Sequence, residues 1–250
     1  MRKFDYRGAV IPLALLLIWQ LVSALNWVDA ALLPAPKAVL AVLIEAVQSG
    51  ELYENVGSSL LRNTAGFVIG GATLGLFLGL NVWLDRIFSP TLNAIKHVAI
   101  FAWIPLMIMW FGNAEKSKVI FIALVVFYPV FFNTYDGVKN VPAKVKEVAL
   151  IFKLNPLQRF LKVILPVAAP SIFAGLNIAL VFSWVATVGA EYFFIAAPGV
   201  VNPILDGQNL FQMEVVLYGM LIIGAVGLLF SKAAQYFENY NLRWRQDANK

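Results

Sequence analysis

The chain has 250 residues, of which 60% are apolar and only 13% are charged. Soluble domains average about 45–50% apolar and about 25% charged residues, so a globule of this size could not bury its apolar surface away from water. The composition excludes a soluble enzyme, a disordered chain and a secreted disulfide scaffold. The absence of cysteine also excludes thiolate metal sites and thiol nucleophiles. What the net charge of +5 means depends on where the basic residues lie.

Six runs are long and apolar enough to cross a bilayer, which takes about 20 residues. They are residues 9–25, 64–84, 95–111, 119–135, 166–190 and 215–234. The first run follows three basic residues but lacks a small-x-small cleavage site, which favours an uncleaved span over a signal peptide. The third run is the weakest, because Lys96 and His97 stand at its start and Pro105 interrupts it.

A short helix is predicted between the first two spans, over residues 37–48. Pro36 stands at its start and Gly50 follows its end, which is the usual punctuation of a helix. The segment contains Lys37 and Glu45 and is too short to span. We therefore expect an amphipathic interfacial helix on the external side, outside the bundle.

The basic residues give the orientation. With six spans, both termini lie on one side, which carries fifteen of the Lys and Arg residues, whereas the other side carries only Lys37, Arg62, Lys116 and Lys118. Cytoplasmic loops are the basic ones, so both termini are expected in the cytoplasm. The positive balance is thus explained by topology and requires no nucleic acid.

The loop between the fourth and fifth spans is long and basic. Its sequence predicts two short helices, 143–152 and 156–163, with Asn155 as the cap of the second and Pro156 at its first position. Connections are mostly about 4–6 residues long, and longer ones usually carry structure or function. Such a loop could dock a soluble partner, or it could merely fix the topology.

The order of residues in this loop is similar to a known signature. Glu147-Val148-Ala149, Lys153 and Ile164-Leu165-Pro166 resemble the cytoplasmic loop of binding-protein-dependent ABC importer permeases, which reads Glu-Ala-Ala, three residues, Gly, nine residues, Ile-x-Leu-Pro. Further segments resemble the branch that imports sulfonates, taurine, nitrate and pyrimidine precursors of thiamine. They are Leu33-Pro34-Ala35-Pro36, Trp110-Phe111-Gly112, Asn133-Thr134-Tyr135-Asp136-Gly137, Pro170 and Ala190-Glu191.

The resemblance implies a fold and a set of partners. It implies an all-α, polytopic membrane bundle of the type I importer kind, in the bacterial inner membrane. Its expected partners are a cytoplasmic ATPase dimer, an external solute-binding protein and a second copy of the permease. The chain lacks the Gly-x4-Gly-Lys-Ser/Thr motif of P-loop ATPases, so it is expected to be no enzyme, to need no cofactor and to take its energy from another polypeptide.

The same resemblance assigns roles to residues of the loop, which spans residues 138–165 and would contain a coupling helix. The expected contact residues for the ATPase are Glu147, Ala149, Lys153, Leu154 and Asn155. Pro166 would begin the fifth span. Lys153 stands where the family has a glycine, and Asn155-Pro156 could then make the turn two residues later.

Polar residues at membrane depth are candidates for the translocation path. Glu191 ends the fifth span with no Lys or Arg in the 197–213 loop to pair with it, and it could line the path or be an ordinary helix-end acid. Ser183, Trp184 and Thr187 share a stripe of the same span and could line the pore or pack within the bundle.

Two further features allow more than one interpretation. Glycines 66, 70, 71, 75 and 79 predict close helix packing, either against a neighbouring span of the chain or against a second copy. His97 is the single histidine of the sequence and has no companion ligand, so a polar residue near the cytoplasmic interface is favoured over a metal site.

Three classes of function remain to be compared. An ABC importer permease for a small, anionic or heterocyclic solute is the favoured one. An integral membrane enzyme would need clustered acids, histidines or nucleophiles. An ATP-independent transporter or channel would more often show paired intramembrane charges or repeated halves.

Overall fold

A computed structural model describes residues 7–80, 91, 94–95, 97–194 and 197–241 of the chain. The described residues form an all-helical protein with no strand. Its helices are α1 (Arg7–Ala24), α2 (Pro36–Ser49), α3 (Glu51–Phe67), α4 (Leu76–Leu80), α5 (Ile104–Phe111), α6 (Glu115–Lys139), α7 (Ala143–Ile151), α8 (Pro156–Arg159), α9 (Leu165–Phe193), α10 (Asn202–Asn209) and α11 (Met213–Asn241). A π-helical segment, Val68–Gly75, joins α3 to α4, and a second one, Phe160–Ile164, joins α8 to α9.

Four helical segments of the described chain are long and apolar enough to cross a membrane: Glu51–Leu78, Glu115–Lys139, Pro156–Phe193 and Met213–Tyr236. They contain or overlap the runs predicted at 64–84, 119–135, 166–190 and 215–234. The runs predicted at 9–25 and 95–111 correspond to the shorter apolar helices Val10–Ala24 and Ile100–Phe111. The end of the second run, residues 81–84, lies outside the described residues.

The helix that contains the second apolar run begins well before that run. Helix α3 starts at Glu51, directly after Gly50, whose φ of +85° ends α2 in a left-handed turn. The run predicted from residue 64 therefore begins inside a longer helix. Charged and polar residues precede residue 64, but one side of α3 is buried, so polar residues lie inside the protein there.

The fifth predicted span lies within a longer helical segment. Residues 156–193 run on as one helical segment of 38 residues, in which α8 continues through the π-helical turn Phe160–Ile164 into α9. Pro166 lies at the second position of α9, next to the start predicted for the span. Proline is tolerated in the first turn of a helix, and the π-helical turn ends two residues before it.

The chain divides into two compact units, one from residues 1–57 and 198–224 and the other from residues 58–197 and 225–250. In the first unit, Val39 and Ala46 of α2 pack with Tyr218 of α11. In the second unit, α6 packs along α9, with Phe121, Ile122 and Val126 fully buried.

Small residues bring the helices of the second unit close together. A side chain at Gly66 would overlap Ile122, and one at Gly70 would overlap the backbone of Ala123. These glycines therefore face α6 of the same chain, which is the intrachain alternative left open by their spacing.

Candidate functional site

The candidate site is a buried polar cluster in the second unit. Ser59, Arg62 and Asn63 lie three and four residues apart on α3, so they share one helical face with Gly66 and Gly70. All three side chains are buried. The close approach to α6 that the glycines permit thus brings these polar groups into the bundle.

Arg62 is the centre of the cluster and contacts two carboxylates. Its Nη1 donates to Oε1 of Glu191 on α9, and its Nε donates to Oε2 of Glu115 on α6 at 2.5 Å. The hydroxyl of Ser59 also donates to Oε1 of Glu191, at 2.5 Å. Lys118 Nζ lies 3.3 Å from the other oxygen of Glu115.

The charges in the cluster balance. Two carboxylates face two cations, and Glu191 and Lys118 are only 2% and 1% exposed, whereas the side chain of Glu115 is 44% exposed. Buried charges are tolerated when they are paired and hydrogen-bonded, and removing one partner leaves a costly uncompensated charge. The ion pairs therefore link α3, α6 and α9, and separating these helices would leave buried charges without their partners.

A second polar layer lies one to two turns along α9. Asn63 Nδ2 donates to Thr187 Oγ1 at 3.0 Å, and Ser183 Oγ lies 3.4 Å from Asn63 Oδ1. Each hydroxyl also donates to its own helix, Thr187 to the Ser183 carbonyl and Ser183 to the Leu180 carbonyl. Positions 183, 187 and 191 are spaced by four, so one face of α9 carries both layers.

Trp184 does not join these layers. Its ring stacks on Phe230 of α11, with the ring centroids 5.3 Å apart and the planes 15° from parallel. The stripe of Ser183, Trp184 and Thr187 therefore divides between two neighbours. Ser183 and Thr187 contact α3, and Trp184 contacts α11.

The partner of Glu191 is not evident from the sequence. The neighbouring 197–213 loop contains no Lys or Arg, and Arg62 precedes the apolar run that begins at residue 64. The available signal was the spacing of Ser59, Arg62 and Asn63 in register with the glycines at 66 and 70, which already indicated a polar helical face continuing into the span.

The other candidate residues lie at the turn between α7 and α8. Helix α7 ends in a Schellman motif, in which the Leu154 N–H donates to the Ala149 carbonyl and the Lys153 N–H to the Leu150 carbonyl. Lys153 occupies the left-handed position of this motif with a φ of +50°. The bend therefore stays at residue 153, where the family has glycine, and does not move to Asn155-Pro156.

The predicted cap of the following helix is present. The Asn155 side chain accepts from the Gln158 N–H at 2.8 Å, and the Gln158 side chain accepts from the Asn155 N–H at 3.2 Å. This reciprocal pair is a capping box. Ala149 is buried and Glu147 is exposed, so the two ends of the Glu-Val-Ala motif have different surroundings.

Comparisons with known proteins agree on a family. Residues 71–243 match the model of the binding-protein-dependent transport system inner membrane component family. The chain is 34% identical to a Bacillus subtilis (strain 168) protein named as an aliphatic sulfonates transport permease, SsuC, over 96% of this chain and 87% of that protein. This relative confirms the branch that the motifs resemble.

A second relative and a solved structure support the same family. The bicarbonate transport system permease protein CmpB of Synechococcus elongatus is 28% identical over 97% of this chain and 92% of that protein. An inward-facing structure of the MetNI methionine ABC transporter shares the fold, with a TM-score of 0.57 and 16% identity, over 76% of this chain and 92% of that one. The chain belongs to the binding-protein-dependent transport system inner membrane component family, and it is a translocation subunit of an ABC importer.

Proposed function

We propose that the chain forms the membrane path for a small anionic solute and that its motive force enters through residues 143–165. The relatives named for aliphatic sulfonates and for bicarbonate both handle anions, which supports the solute class. In this proposal a cytoplasmic ATPase dimer supplies the energy, and an external binding protein delivers the solute. The permease acts as a homodimer.

The observation that carries the coupling proposal is the turn surface, which comprises Ile151, Phe152 and Leu157. These apolar side chains are 77%, 73% and 66% exposed, and they flank the left-handed turn at Lys153. The same two helices, α7 and α8, also carry the basic residues Lys144, Lys146 and Arg159. A groove on the ATPase with an apolar floor, acidic residues facing these cations and a basic residue facing Glu147 would complement this surface.

The length of the adjoining helix supports the same assignment. At about 1.5 Å per residue, the 38 residues from Pro156 to Phe193 extend about 57 Å, whereas the hydrocarbon core is about 30 Å thick. The basic residues of this helix, Arg159 and Lys162, are near its start. We place that start in the cytoplasm, with both termini on the same side and six spans in total, counting α1 and Ile100–Phe111.

For the buried cluster we propose a gating role. Glu191, Ser183 and Thr187 would form, with Arg62 and Asn63, a polar joint that holds α3 against α9 in one state of the cycle. Trp184 would hold α9 against α11. The joint borders the translocation path, and its polar groups become available to water or solute only when the helices separate.

The test uses charge reversal on the coupling helix. Glu147→Lys is expected to reduce copurification of the ATPase subunit and ATP-driven uptake by about tenfold or more, because it disturbs a charged interface. The matched control is Glu45→Lys, which reverses another exposed acid, on α2. If Glu147→Lys transports as well as Glu45→Lys does, the coupling assignment is wrong.

The alternative of an ATP-independent transporter or channel is tested with the same preparation. Proteoliposomes containing the permease alone, with an outward solute gradient imposed, should release no more solute than empty liposomes do. Gradient-driven release without the ATPase subunit would favour that alternative.

A further inference from the structure

A groove of about 410 Å³ runs along one face of α6, away from the polar cluster. Its other wall is formed by the π-helical segment Val68–Gly75 and by α4. Ala123 lies at its floor, where it is buried and its backbone approaches Gly70 closely. All the lining side chains are apolar: Ile69, Leu74, Leu78, Val119, Ile120, Ala123, Leu124 and Phe127.

A second depression adjoins one end of this groove. It is lined by Glu115, Lys116, Val119 and Ile120, and it therefore shares two residues with the groove. On α6 the lining positions of both depressions include 116, 119, 120, 123, 124 and 127. These positions are three and four residues apart, so they form one helical face that begins with a cation and continues with apolar side chains only.

Lys116 gives this end of the groove a positive charge. It is exposed and makes no ion pair with the described part of the chain. The neighbouring carboxylate of Glu115 is already paired with Arg62 and Lys118. The charges of the buried cluster balance one another, so Lys116 adds one positive charge that an anionic ligand would compensate.

The length of the groove matches one leaflet of a bilayer. Helix α6 has 25 residues and extends about 37 Å, whereas the hydrocarbon core is about 30 Å thick, so the first turn of α6 reaches the headgroup region. From Lys116 to Phe127 the helix rises about 16 Å, and half of the hydrocarbon core is about 15 Å. An acyl chain that starts at the level of Lys116 would therefore follow the groove to the middle of the membrane.

The groove is open on one side, which suits a lipid better than a water-soluble ligand. Ile69 and Leu74 in its wall are 47% and 49% exposed. The apolar lining offers a solute no hydrogen bond, but an open apolar groove on a membrane span admits an acyl chain sideways from the bilayer. A lysine at the end of a span can lay its apolar stem on such a surface while its ammonium reaches the headgroups.

We propose that this groove binds one anionic phospholipid. One acyl chain lies in the groove against Ala123 and Phe127, and the phosphate accepts a hydrogen bond from Lys116. An uncharged headgroup such as glycerol leaves this attraction intact, whereas Lys116 repels the ammonium of a zwitterionic headgroup. The bound chain covers the place where Gly70 contacts Ala123, so the lipid supports the packing of this segment on α6.

The experiment is native mass spectrometry of the full-length permease, delipidated in detergent and titrated with one lipid at a time. The probes are dioleoyl phosphatidylglycerol, which is anionic, and dioleoyl phosphatidylcholine, which is zwitterionic and has the same acyl chains. One tightly held phosphatidylglycerol is expected per chain. Its affinity is expected to exceed that of phosphatidylcholine about fivefold, which is the contribution of one lysine at a membrane surface.

The first variant tests the headgroup contact. Lys116→Ala is expected to lower the affinity for phosphatidylglycerol about fivefold, to the level of phosphatidylcholine, whose binding should stay nearly unchanged. Lys116→Arg should keep the preference, because it keeps the charge. The matched control is Lys37→Ala, which removes an exposed lysine on α2 and should change neither affinity.

The second variant tests the acyl-chain contact. Leu74→Trp is expected to weaken both lipids about tenfold, because the indole takes the space of at least two methylene groups of the chain. The matched control is Phe77→Trp, which makes a similar change at a residue of α4 that is 67% exposed and lies outside the groove. Size-exclusion chromatography and circular dichroism check that each variant is folded before titration.

Three results would overturn the proposal. One is equal binding of the two lipids by the unmodified permease, and another is a preference that survives in Lys116→Ala. The third is a Leu74→Trp variant that binds both lipids as the unmodified permease does but forms fewer dimers, because a second copy of the chain would then be the occupant of the groove.

Discussion

Removal of the Arg62 side chain is the most severe test of the buried cluster. In Arg62→Ala, Glu191 keeps the hydrogen bond from Ser59 but loses its cation, at a site where it is only 2% exposed. Breaking a buried ion pair costs about 3–5 kcal/mol, because the remaining charge is uncompensated. Glu115 is 44% exposed and keeps Lys118, so the loss on that side is about 0–1 kcal/mol. We therefore expect the free energy of unfolding to fall by about 3–6 kcal/mol.

The opposite partner should be less sensitive. In Glu191→Gln the amide still accepts from Ser59 and from Arg62, and Arg62 keeps Glu115 as its counter-ion. The loss is then that of a charged hydrogen bond, about 1.5–3 kcal/mol. The double variant Arg62→Met with Glu191→Leu removes both charges and should recover part of the stability lost in Arg62→Ala, because apolar replacement of a buried pair is often neutral.

The assay is unfolding of the purified permease in dodecyl maltoside by titration with sodium dodecyl sulfate, followed by circular dichroism. Lys116→Ala is the control, because Lys116 is exposed beside Glu115 and its removal should stay within about 0.5 kcal/mol. The electrostatic reasoning is refuted if Arg62→Ala is no more destabilising than Glu191→Gln, or if the double variant is less stable than Arg62→Ala.

Two other substitutions test the backbone of the site. Lys153→Gly should raise the free energy of unfolding by about 1 kcal/mol, since glycine adopts the left-handed position without steric cost. Lys153→Val should lower the free energy of unfolding. If the two variants are equally stable in the same titration, this account is wrong. Gly70→Leu should lower the yield of folded protein in size-exclusion chromatography, because a side chain there overlaps the Ala123 backbone. Gly224→Leu should be tolerated, because a Cβ there meets no atom within 4 Å. If Gly70→Leu and Gly224→Leu give equal yields of folded protein, the segment around Gly70 does not pack closely against α6.

Apolar runs predicted the helical core of the four candidate spans of the described chain, because burial in lipid or protein requires little beyond length and hydrophobicity. They do not give the ends of the helices. Residues 51–63 contain charges that interrupt the apolar pattern, but a buried polar face extends α3 back to Glu51. Pro166 lies at the second position of α9, next to the predicted start, but the π-helical turn before it joins α9 to α8 in one longer helical segment.

The sequence predicted only part of the candidate site, because the rules that connect residues in a sequence are local. Glu191 was identified, since an acid at membrane depth is conspicuous in a sequence. Its partner Arg62 is 129 positions away along the chain, and no local rule connects two such residues. The Asn155 cap, by contrast, involves a residue three positions away, and the sequence predicted it correctly because capping is local chemistry.

The continuity of the helix from Pro156 to Phe193 links the two proposed sites physically. Glu191 lies 35 residues beyond Pro156, which is about 52 Å along one helix. In a continuous helix, a displacement at the start is transmitted to the far end. There the face of α9 that carries Thr187 and Glu191 is bound to Asn63 and Arg62 of α3. In the proposed cycle, force applied by the ATPase must therefore either bend α9 near Pro170 or separate the polar joint, and the strength of the Arg62–Glu191 pair decides between them.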